Sequence, residues 1–384
     1  MQAFDVAIAG GGIIGIALAW ELQRAGRHVV LLDRQQPGQE ASWAAAGILS
    51  PSFEVPDSVP LVPLARASLQ LYPEFVAAVE HATGRATGFR QAASLQIFFG
   101  EGAQRECGLL IGAHRAAGLP TRAISTDEVR GMEPALNPDV RAAALLPDEA
   151  RIDPRLLSAT VLEAARNAGV KVRAGVEVTG LMIEGGRCVG VLAGSERISA
   201  AHVVIAAGCF CGQMQALARY APTRPVRGQM VAFRSPGVNL SHIVNSDRGY
   251  LVPREDGRLL AGSTLEDAGF EKAVTPAGLQ KILAAALEIA PDLATAPIVE
   301  SWSGLRPDTP DHLPIIGPTD VEGLWISTGH FRNGILLAPI SARVIRDWMD
   351  GNALPVSMTE FSPMRFSENT VTRPATMTPT VTRK

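Results

Sequence analysis

The stretch from residue 4 to residue 33 constrains the fold of this chain more than any other. An apolar run at 4–9 leads into the glycine cluster GGGIIG at 10–15, and a stretch of helical character follows. A second apolar run then ends at Asp33. This order predicts a strand, a tight turn, a helix and a second strand with a carboxylate at its tip. Units of this kind bind dinucleotides.

Three glycines and one acid in this unit have separate predicted tasks. Gly10 permits the tight turn, Gly12 lets the backbone approach a pyrophosphate because it has no Cβ, and Gly15 lets the helix pack closely on the sheet. The free amides and the dipole at the helix start favour phosphate. Asp33 is placed to accept hydrogen bonds from the hydroxyls of an adenosine ribose. A βαβ unit without a ligand would explain the strand and the helix, but not these four residues together.

Length and composition predict a globular protein of two domains. The chain has 384 residues, more than the roughly 250–300 that one hydrophobic core usually serves. Hydrophobic residues make up 47% and charged residues 19%, which is a well-cored composition. The net charge of −3, without runs of like charge, argues against a nucleic-acid partner.

The number of cysteines and the length of the apolar runs bear on the cellular location of the protein. Four cysteines in a chain of this length do not form a disulfide framework, which favours a reducing, cytoplasmic location. Cys209 and Cys211 are close in sequence, but no second ligand pair accompanies them, so we expect no metal site. No window holds about twenty unbroken apolar residues, so we expect no membrane span.

The order of elements predicts an α/β domain interrupted by an α+β domain. Apolar residues recur at helical spacing in five stretches, 61–82, 101–118, 154–167, 275–290 and 334–349. Residues 225–263 alternate and turn often, as an antiparallel sheet does. We therefore predict a Rossmann-type nucleotide-binding domain and a discontinuous second domain built on an antiparallel sheet. The predicted bounds are 1–85, 150–222 and 305–350 for the first domain, 86–149 and 223–304 for the second, and 353–384 for a mobile or loosely docked tail.

Later segments carry a family resemblance. They read ASWAAAGIL at 41–49, GYLVPR at 249–254 with GST at 262–264, GLRP at 304–307 with PIIG at 314–317, and GHFRNGILLAP at 329–339. With the N-terminal unit they resemble the D-amino-acid-oxidase superfamily of FAD enzymes, and within it the glycine oxidase family of thiamine biosynthesis. The resemblance spans residues 4 to about 350. It implies FAD rather than NAD, oxygen as electron acceptor, and a homo-oligomer. Covalent relatives attach flavin through cysteine or histidine, but the match to glycine oxidases implies a noncovalent cofactor.

The resemblance also places the cofactor along the chain. The small residues of 41–49 suit passage beside a flat ring system. The segment from Gly329 is expected to turn and to begin a helix at Gly334, whose positive end would face the flavin edge that becomes negative on reduction. The residues predicted to contact FAD are Gly10, Gly12, Ile13, Ile14, Gly15, Asp33, Arg34, Ser42, Ala45, Ala46, Gly47, Ile48, Leu49, Val178 through its backbone, Ala207, Gly208, Arg306, His330, Phe331, Arg332, Asn333, Gly334, Ile335 and Leu336.

Three side chains are the predicted catalytic residues. The planar fork of Arg306 can bind a substrate carboxylate with two hydrogen bonds, from a rigid loop at a strand end. Tyr250 is placed to donate its hydroxyl to the same carboxylate, and Arg332 to lie near flavin and substrate. A surface ion pair, a packed core ring and a pinned turn are the respective alternatives. Glu54 either faces the site entrance or is simply solvated.

The resemblance implies the FAD-dependent deamination of glycine, or of other small amines such as sarcosine and small D-amino acids, to the 2-oxo acid, ammonia and hydrogen peroxide, and these three side chains are consistent with it. If hydride leaves Cα directly, a neutral substrate amine is needed and a catalytic base is not. Two alternatives share the fold: a D-amino-acid dehydrogenase that reduces a quinone, and a 2-hydroxy-acid oxidase. A non-enzymatic flavoprotein is a third, but it leaves the predicted carboxylate clamp unexplained.

Overall fold

The computed structural model describes residues 4–52, 59–234 and 237–366 of the chain. The helices of these residues are α1 (Ile13–Arg24), α2 (Ala41–Ala44), α3 (Leu61–Thr83), α4 (Ala103–Ala116), α5 (Thr126–Met132), α6 (Pro154–Asn167), α7 (Pro276–Ile289) and α8 (Gly334–Met349). Their strands are β1 (Phe4–Ala9), β2 (Val29–Asp33), β3 (Ile48–Leu49), β4 (Arg90–Gln91), β5 (Ser94–Phe98), β6 (Arg122–Ile124), β7 (Ala142–Leu146), β8 (Ala150–Arg151), β9 (Lys171–Ala174), β10 (Gly180–Glu184), β11 (Arg187–Ala193), β12 (Glu196–Ile205), β13 (Arg224–Arg234), β14 (Ile243–Asn245), β15 (Tyr250–Pro253), β16 (Arg258–Gly262), β17 (Ile298–Asp308), β18 (Ile315–Pro318) and β19 (Leu324–Thr328).

The first sheet is a Rossmann-type sheet. Its parallel strands run in the order β9-β2-β1-β12-β19, and β18 adds an antiparallel edge beside β19. A hairpin of β10 and β11 pairs with the first half of β12. Parallel strands are covered on both faces and therefore need continuous apolar sequence, which β1 and β2 supply. Helices α1, α3, α6 and α8 share one hydrophobic core with one face of this sheet.

Local sequence explains where the helices of this sheet begin. Asp153 caps α6 by accepting hydrogen bonds from the backbone amides of Arg155 and Leu156, and Pro154 occupies the first turn.

Helix α8 contains Pro339, which has no N–H to offer the carbonyl four residues earlier. That carbonyl, of Ile335, instead accepts a hydrogen bond of 2.5 Å from the buried hydroxyl of Tyr72. The proline is thus tolerated because α3 satisfies the exposed group.

The second sheet lies beside the first and is largely antiparallel. Its strand order is β17-β13-β16-β15-β14-β5-β7-β6. Among the described strands of this second sheet, β14 and β5 form the only parallel pair. Helix α7 covers one face of this sheet and shares a hydrophobic core with it. The other face is turned toward the Rossmann sheet. Short strands β3, β8 and β4 form a third sheet.

The predicted fold class is confirmed, with two sheets of the expected kinds built from alternating stretches of the chain. The predicted domain bounds stay a prediction. Helix α5 has no counterpart in the sequence expectations, although its capping box, Ser125 with Glu128, is a readable signal. The expectation of a mobile or loosely docked tail is wrong for residues 353–366, because Met358 and Phe361 are buried in the core under α8. Residues 367–384 lie outside the described part of the chain.

Candidate active site

A cavity of about 750 Å³ lies where the two sheets meet. The carboxyl ends of β1, β2, β12 and β19 line one side of it, and the face of the second sheet lines the other. Ligands of doubly wound folds bind at this edge because parallel strands all end there. The cavity is also within the usual volume range for small-molecule and cofactor sites.

The glycine turn forms one end of the cavity. Gly10 has a φ of +112°, and a Cβ at this position would lie 2.4 Å from the carbonyl oxygen of Ala206. A Cβ at Gly15 would lie 1.9 Å from the Gly10 carbonyl oxygen, so this glycine serves helix packing and does not line the cavity. The Asp33 carboxylate lines the cavity and accepts backbone hydrogen bonds from Gly11 at 2.6 Å and Gln35 at 2.7 Å. A carboxylate has about four acceptor positions, so two remain for a ligand.

The segment 41–49 is held in place by groups from several elements. The hydroxyl of Ser42 accepts a 2.9 Å hydrogen bond from the amide of Ile13 at the start of α1. The indole of Trp302 donates to the Ala44 carbonyl at 3.0 Å, and Arg254 donates to the Ala46 carbonyl at 2.5 Å. Sequence reasoning did not assign roles to Trp302 and Arg254, whose contacts are more than 200 residues away along the chain. Burial lowers the pKa of Arg254 to about 10, which still leaves it charged near neutrality.

Arg306 lies on the cavity face of the second sheet. It sits inside β17 rather than in the predicted loop, because Pro307 pairs with Pro225 at the end of the long β13–β17 ladder and the strand continues to Asp308. Its guanidinium donates to the Ser263 hydroxyl at 2.7 Å and to the Thr264 carbonyl at 3.1 Å.

Two glycines make room for the side chains that meet in this region. A Cβ at Gly228 would lie 2.0 Å from the Arg306 guanidinium, and a Cβ at Gly262 would lie 2.7 Å from the Tyr250 hydroxyl. Arg306 therefore lies flat over β13, and the Tyr250 side chain reaches over β16 from the opposite side. Its hydroxyl contacts the sulfur of Met230 at 3.3 Å.

Burial and two neighbouring groups act on the charge of Arg306. Burial lowers the pKa of the Arg306 guanidinium below its usual value, and the positive charge of Arg332 acts in the same direction. The Tyr250 hydroxyl opposes both effects. A half-buried arginine stays charged near neutrality, so the site presents a fixed positive charge beside a phenol donor.

The turn before α8 closes the cavity opposite the second sheet. Phe331 has a positive φ of 45°, and its amide donates to the Pro307 carbonyl at 2.9 Å, which ties the turn to β17. The buried His330 ring lies 3.0 Å from the Ser341 hydroxyl, and burial lowers its pKa to about 3, so it is neutral. Arg332 is exposed and lines the cavity. The first residues of α8, Gly334 and Ile335, line it as well.

The cavity brings most of the predicted residues together. The three exceptions among the predicted contacts are Gly15, Leu49 and Leu336. Leu49 and Leu336 point into the core shared by the α helices, because neighbouring residues of a strand or of a helix turn face different ways. Glu54 lies outside the described residues. The predicted residues that line the cavity are Gly10, Gly12, Ile13, Ile14, Asp33, Arg34, Ser42, Ala45, Ala46, Gly47, Ile48, Val178, Ala207, Gly208, Tyr250, Arg306, His330, Phe331, Arg332, Asn333, Gly334 and Ile335.

An unpaired hydroxyl supports the fit of a dinucleotide to this cavity. Ser327 stands near the end of β19, is 1% exposed, and lines the cavity. Its hydroxyl has no hydrogen-bond partner within the described residues. Buried polar groups are rarely left unpaired, so this hydroxyl indicates a polar ligand at the sheet edge. Together with the glycine turn and the Asp33 carboxylate, it fits the phosphate and sugar portion of FAD.

Other candidate chemistry is not apparent in the described parts of the chain. The four cysteines are buried thiols. No three histidine, cysteine or acidic side chains there form a group that could hold a metal ion. Over the same residues, no helix has the length and apolar character needed to cross a bilayer.

Comparison with known proteins identifies the family. The family model described as "FAD dependent oxidoreductase" matches residues 5–348. The chain is 32% identical over 361 residues to the glycine oxidase of Pseudomonas aeruginosa, which covers 93% of this chain and 98% of that protein. It superposes on the crystal structure of glycine oxidase from Geobacillus kaustophilus with a TM-score of 0.90 at 31% identity, covering 95% of this chain and 99% of that one.

A longer relative shares the same region. The chain is 35% identical over 374 residues to the "Bifunctional protein ThiO/ThiG" of Trichormus variabilis, covering 96% of this chain. It spans only about half of that relative, 56% of its length. The full-length matches to shorter relatives and the shared fold are sufficient to assign the family. The chain therefore belongs to the FAD-dependent oxidoreductase family, which implies FAD as its cofactor, and it is a glycine-oxidase-like member.

Proposed function

We propose that this chain oxidises glycine or another small amino acid or amine, such as sarcosine or a small D-amino acid. The imine product takes up water and gives the 2-oxo acid and ammonia, or methylamine from sarcosine, while oxygen is reduced to hydrogen peroxide. The family resemblance links such a reaction to thiamine biosynthesis. The observation that carries the proposal is the convergence of the Arg306 guanidinium and the Tyr250 hydroxyl over two glycines, in the cavity that the first turn of α8 also lines.

The substrate carboxylate binds between Arg306 and Tyr250. The guanidinium supplies two parallel N–H donors, which orient a carboxylate as well as neutralise it. Tyr250 adds an O–H donor from β15, three strands away from β17 in the same sheet. Ser263 and Thr264 accept hydrogen bonds from the guanidinium at 2.7 and 3.1 Å and so fix its plane. This arrangement holds the substrate Cα in one position, which lowers the barrier to hydride transfer through proximity and orientation.

The cavity-lining residues of the glycine turn, segment 41–49 and the turn before α8 would hold FAD, which would supply the hydride-accepting and oxygen-reducing chemistry. The N-terminus of α8 stabilises negative charge on its side of the cavity, since the first amides of a helix have no partners within it. Noncovalent binding is supported by the state of the two nearby candidate attachment residues. Burial raises the pKa of the Cys209 thiol to about 12, and the His330 ring is buried against Ser341.

The amine must arrive neutral if hydride leaves Cα directly. The kcat/KM for glycine should therefore rise with pH as the substrate ammonium loses its proton. A rate independent of pH below the amine pKa would contradict direct hydride transfer from the neutral amine.

An anaerobic reduction screen tests the proposal. The purified holoenzyme is mixed with glycine, sarcosine, D-alanine, D-proline or 2-hydroxyglutarate, and bleaching of the flavin absorbance is followed. Bleaching by the amines, with stoichiometric peroxide on return to air, supports the oxidase. Bleaching without peroxide, with turnover restored by a quinone, favours a dehydrogenase, and bleaching by 2-hydroxyglutarate alone favours a hydroxy-acid oxidase. Flavin that none of them reduces would reject the proposal.

A further inference from the structure

A row of side chains crosses the cavity face of the second sheet. Ladder registers place Gln96, Asn245, Tyr250, Gly262 and Met230 directly opposite one another on successive strands β5, β14, β15, β16 and β13. Residues directly opposite in a sheet project to the same face. Apart from Gly262, each of them lines the cavity. The carboxylate site at Arg306 and Tyr250 is therefore continuous with a polar strip on β14 and β5.

Asn245 is the notable member of this strip. It is 5% exposed and lines the cavity, yet its amide oxygen Oδ1 has no hydrogen-bond partner within the described residues. Leaving a buried acceptor unpaired is unfavourable, so a ligand group that donates to it would be favoured. Gln96 lies beside it on the next strand and adds a second neutral amide.

The position of Asn245 excludes contact with the core of the substrate. The Tyr250 hydroxyl lies over Gly262 on β16, and Asn245 is on β14, two strands away. Strands are about 4.8 Å apart, so the two positions are separated by about 10 Å along the sheet. An amino acid whose carboxylate is held by Arg306 carries its amine on the carbon next to that carboxylate, and so close to Arg306. A substituent on the substrate can span the remaining distance to Asn245.

We propose that Asn245 and Gln96 form a second subsite, which selects amino acids or amines carrying an uncharged hydrogen-bond donor, such as a carboxamide, on the substituent. The inference rests on the proposed function and specifies its substrate class. An unpaired amide oxygen can only accept, so the ligand must bring an N–H or O–H. A carboxylate in the same place would set one acceptor against another, and an aliphatic group would leave the oxygen unpaired.

Three amino acids of the same shape test this prediction. D-Asparagine, D-leucine and D-aspartate differ only in the polarity of the side-chain end, and D-glutamine with D-glutamate extends the comparison by one carbon. Stopped-flow flavin reduction by the holoenzyme should give a kcat/KM for D-asparagine or D-glutamine at least about tenfold above that for the matched acid, and for D-asparagine about tenfold above D-leucine. Equal kcat/KM values for D-asparagine, D-leucine and D-aspartate, or a preference for the acids, would overturn the subsite.

The variant Asn245→Leu removes the acceptor at constant size. The ratio of kcat/KM for D-asparagine to that for D-leucine should fall by about tenfold or more in this variant. A matched change on the same face of β14, Ile243→Val, alters packing two residues away without lining the cavity and should leave that ratio within about twofold. An unchanged ratio in Asn245→Leu would contradict the assignment.

A binding measurement separates failure of this inference from failure of the proposed function. Succinamate, 4-methylpentanoate and succinate carry the same three ends on a carboxylate without an amine, and their binding is followed by the change in the flavin spectrum. Tighter binding of succinamate supports the subsite even if no amine is oxidised. Glycine oxidation without any preference for succinamate or D-asparagine would leave the proposed function standing and reject the subsite.

Discussion

The substitution Gly228→Ala examines the geometry of the carboxylate site most directly. A Cβ at this position would lie 2.0 Å from the Arg306 Nη1 and 2.4 Å from its Cζ. Ordinary contact begins at about 3.4 Å, so the guanidinium must move by about 1.4 Å. The obstacle is the end of a flexible side chain, so the backbone of β13 can stay in place and the variant should fold.

A displacement of this size should be costly for catalysis. Misplacing a substrate-orienting group by about 1 Å reduces rates by about 100-fold. We therefore expect kcat/KM for glycine, measured by peroxide production, to fall by about 100-fold in Gly228→Ala. Flavin content and the thermal midpoint should change little, because the cavity-lining residues of the first sheet are untouched.

A matched glycine provides the control. Gly237 has no heavy atom within 4 Å of a Cβ built on it and has no positive φ. Gly237→Ala should therefore retain wild-type kcat/KM. A Gly228→Ala enzyme with full flavin content and kcat/KM within about threefold of the wild type would refute the proposed role of Arg306 in holding the substrate.

Three further predictions concern single side chains. Arg306→Ala should raise KM for glycine by about 100-fold or more with FAD still bound, because two charge-assisted hydrogen bonds are lost; a change confined to kcat would contradict carboxylate binding. Tyr72→Phe should lower the free energy of unfolding in urea by about 1–3 kcal/mol, since the Ile335 carbonyl that Pro339 leaves open would lose its donor; an unchanged midpoint would show that another group satisfies it. Burial raises the pKa of Glu149 from 4.5 to about 7, so the folded chain keeps a proton that the unfolded chain releases, and stability is lost as pH rises through that window, by up to about 3 kcal/mol. Glu149→Gln should remove this slope in unfolding curves measured between pH 4.5 and 7.5, and equal slopes in both proteins would contradict the assignment.

The sequence predicted best where the cause is local. The turn at Gly10, the start of α6 at Asp153 and the bounds of α8 each depend on residues within a few positions of one another. Caps, glycine turns and apolar periodicity act over one or two turns of chain, and they can be read without knowing the partner elements. The same reasoning misjudged Arg306, because Gly304 and Pro307 look like strand breakers until β13 supplies a partner.

Groups that act across the sheets were beyond local reasoning. Gly228 was read only as part of an alternating strand, although it makes the space in which the Arg306 guanidinium lies. Trp302 and Arg254 hold the backbone of segment 41–49 from more than 200 residues away. Asn245 carries no local motif, and its unpaired oxygen is visible only when the strand register places it beside Tyr250.

The amino-acid sequence by itself determined a dinucleotide cradle, two kinds of sheet and a family of FAD enzymes, because glycine turns, strand periods and the carboxylate at a strand tip are properties of short segments. Tertiary structure alone decided the shape of the proposed substrate site. The Arg306 guanidinium comes from β17 and the Tyr250 hydroxyl from β15. The glycines that leave room for these two side chains lie on β13 and β16. The distances among these groups are set by strand order and register, which arise from pairing between segments far apart in the chain.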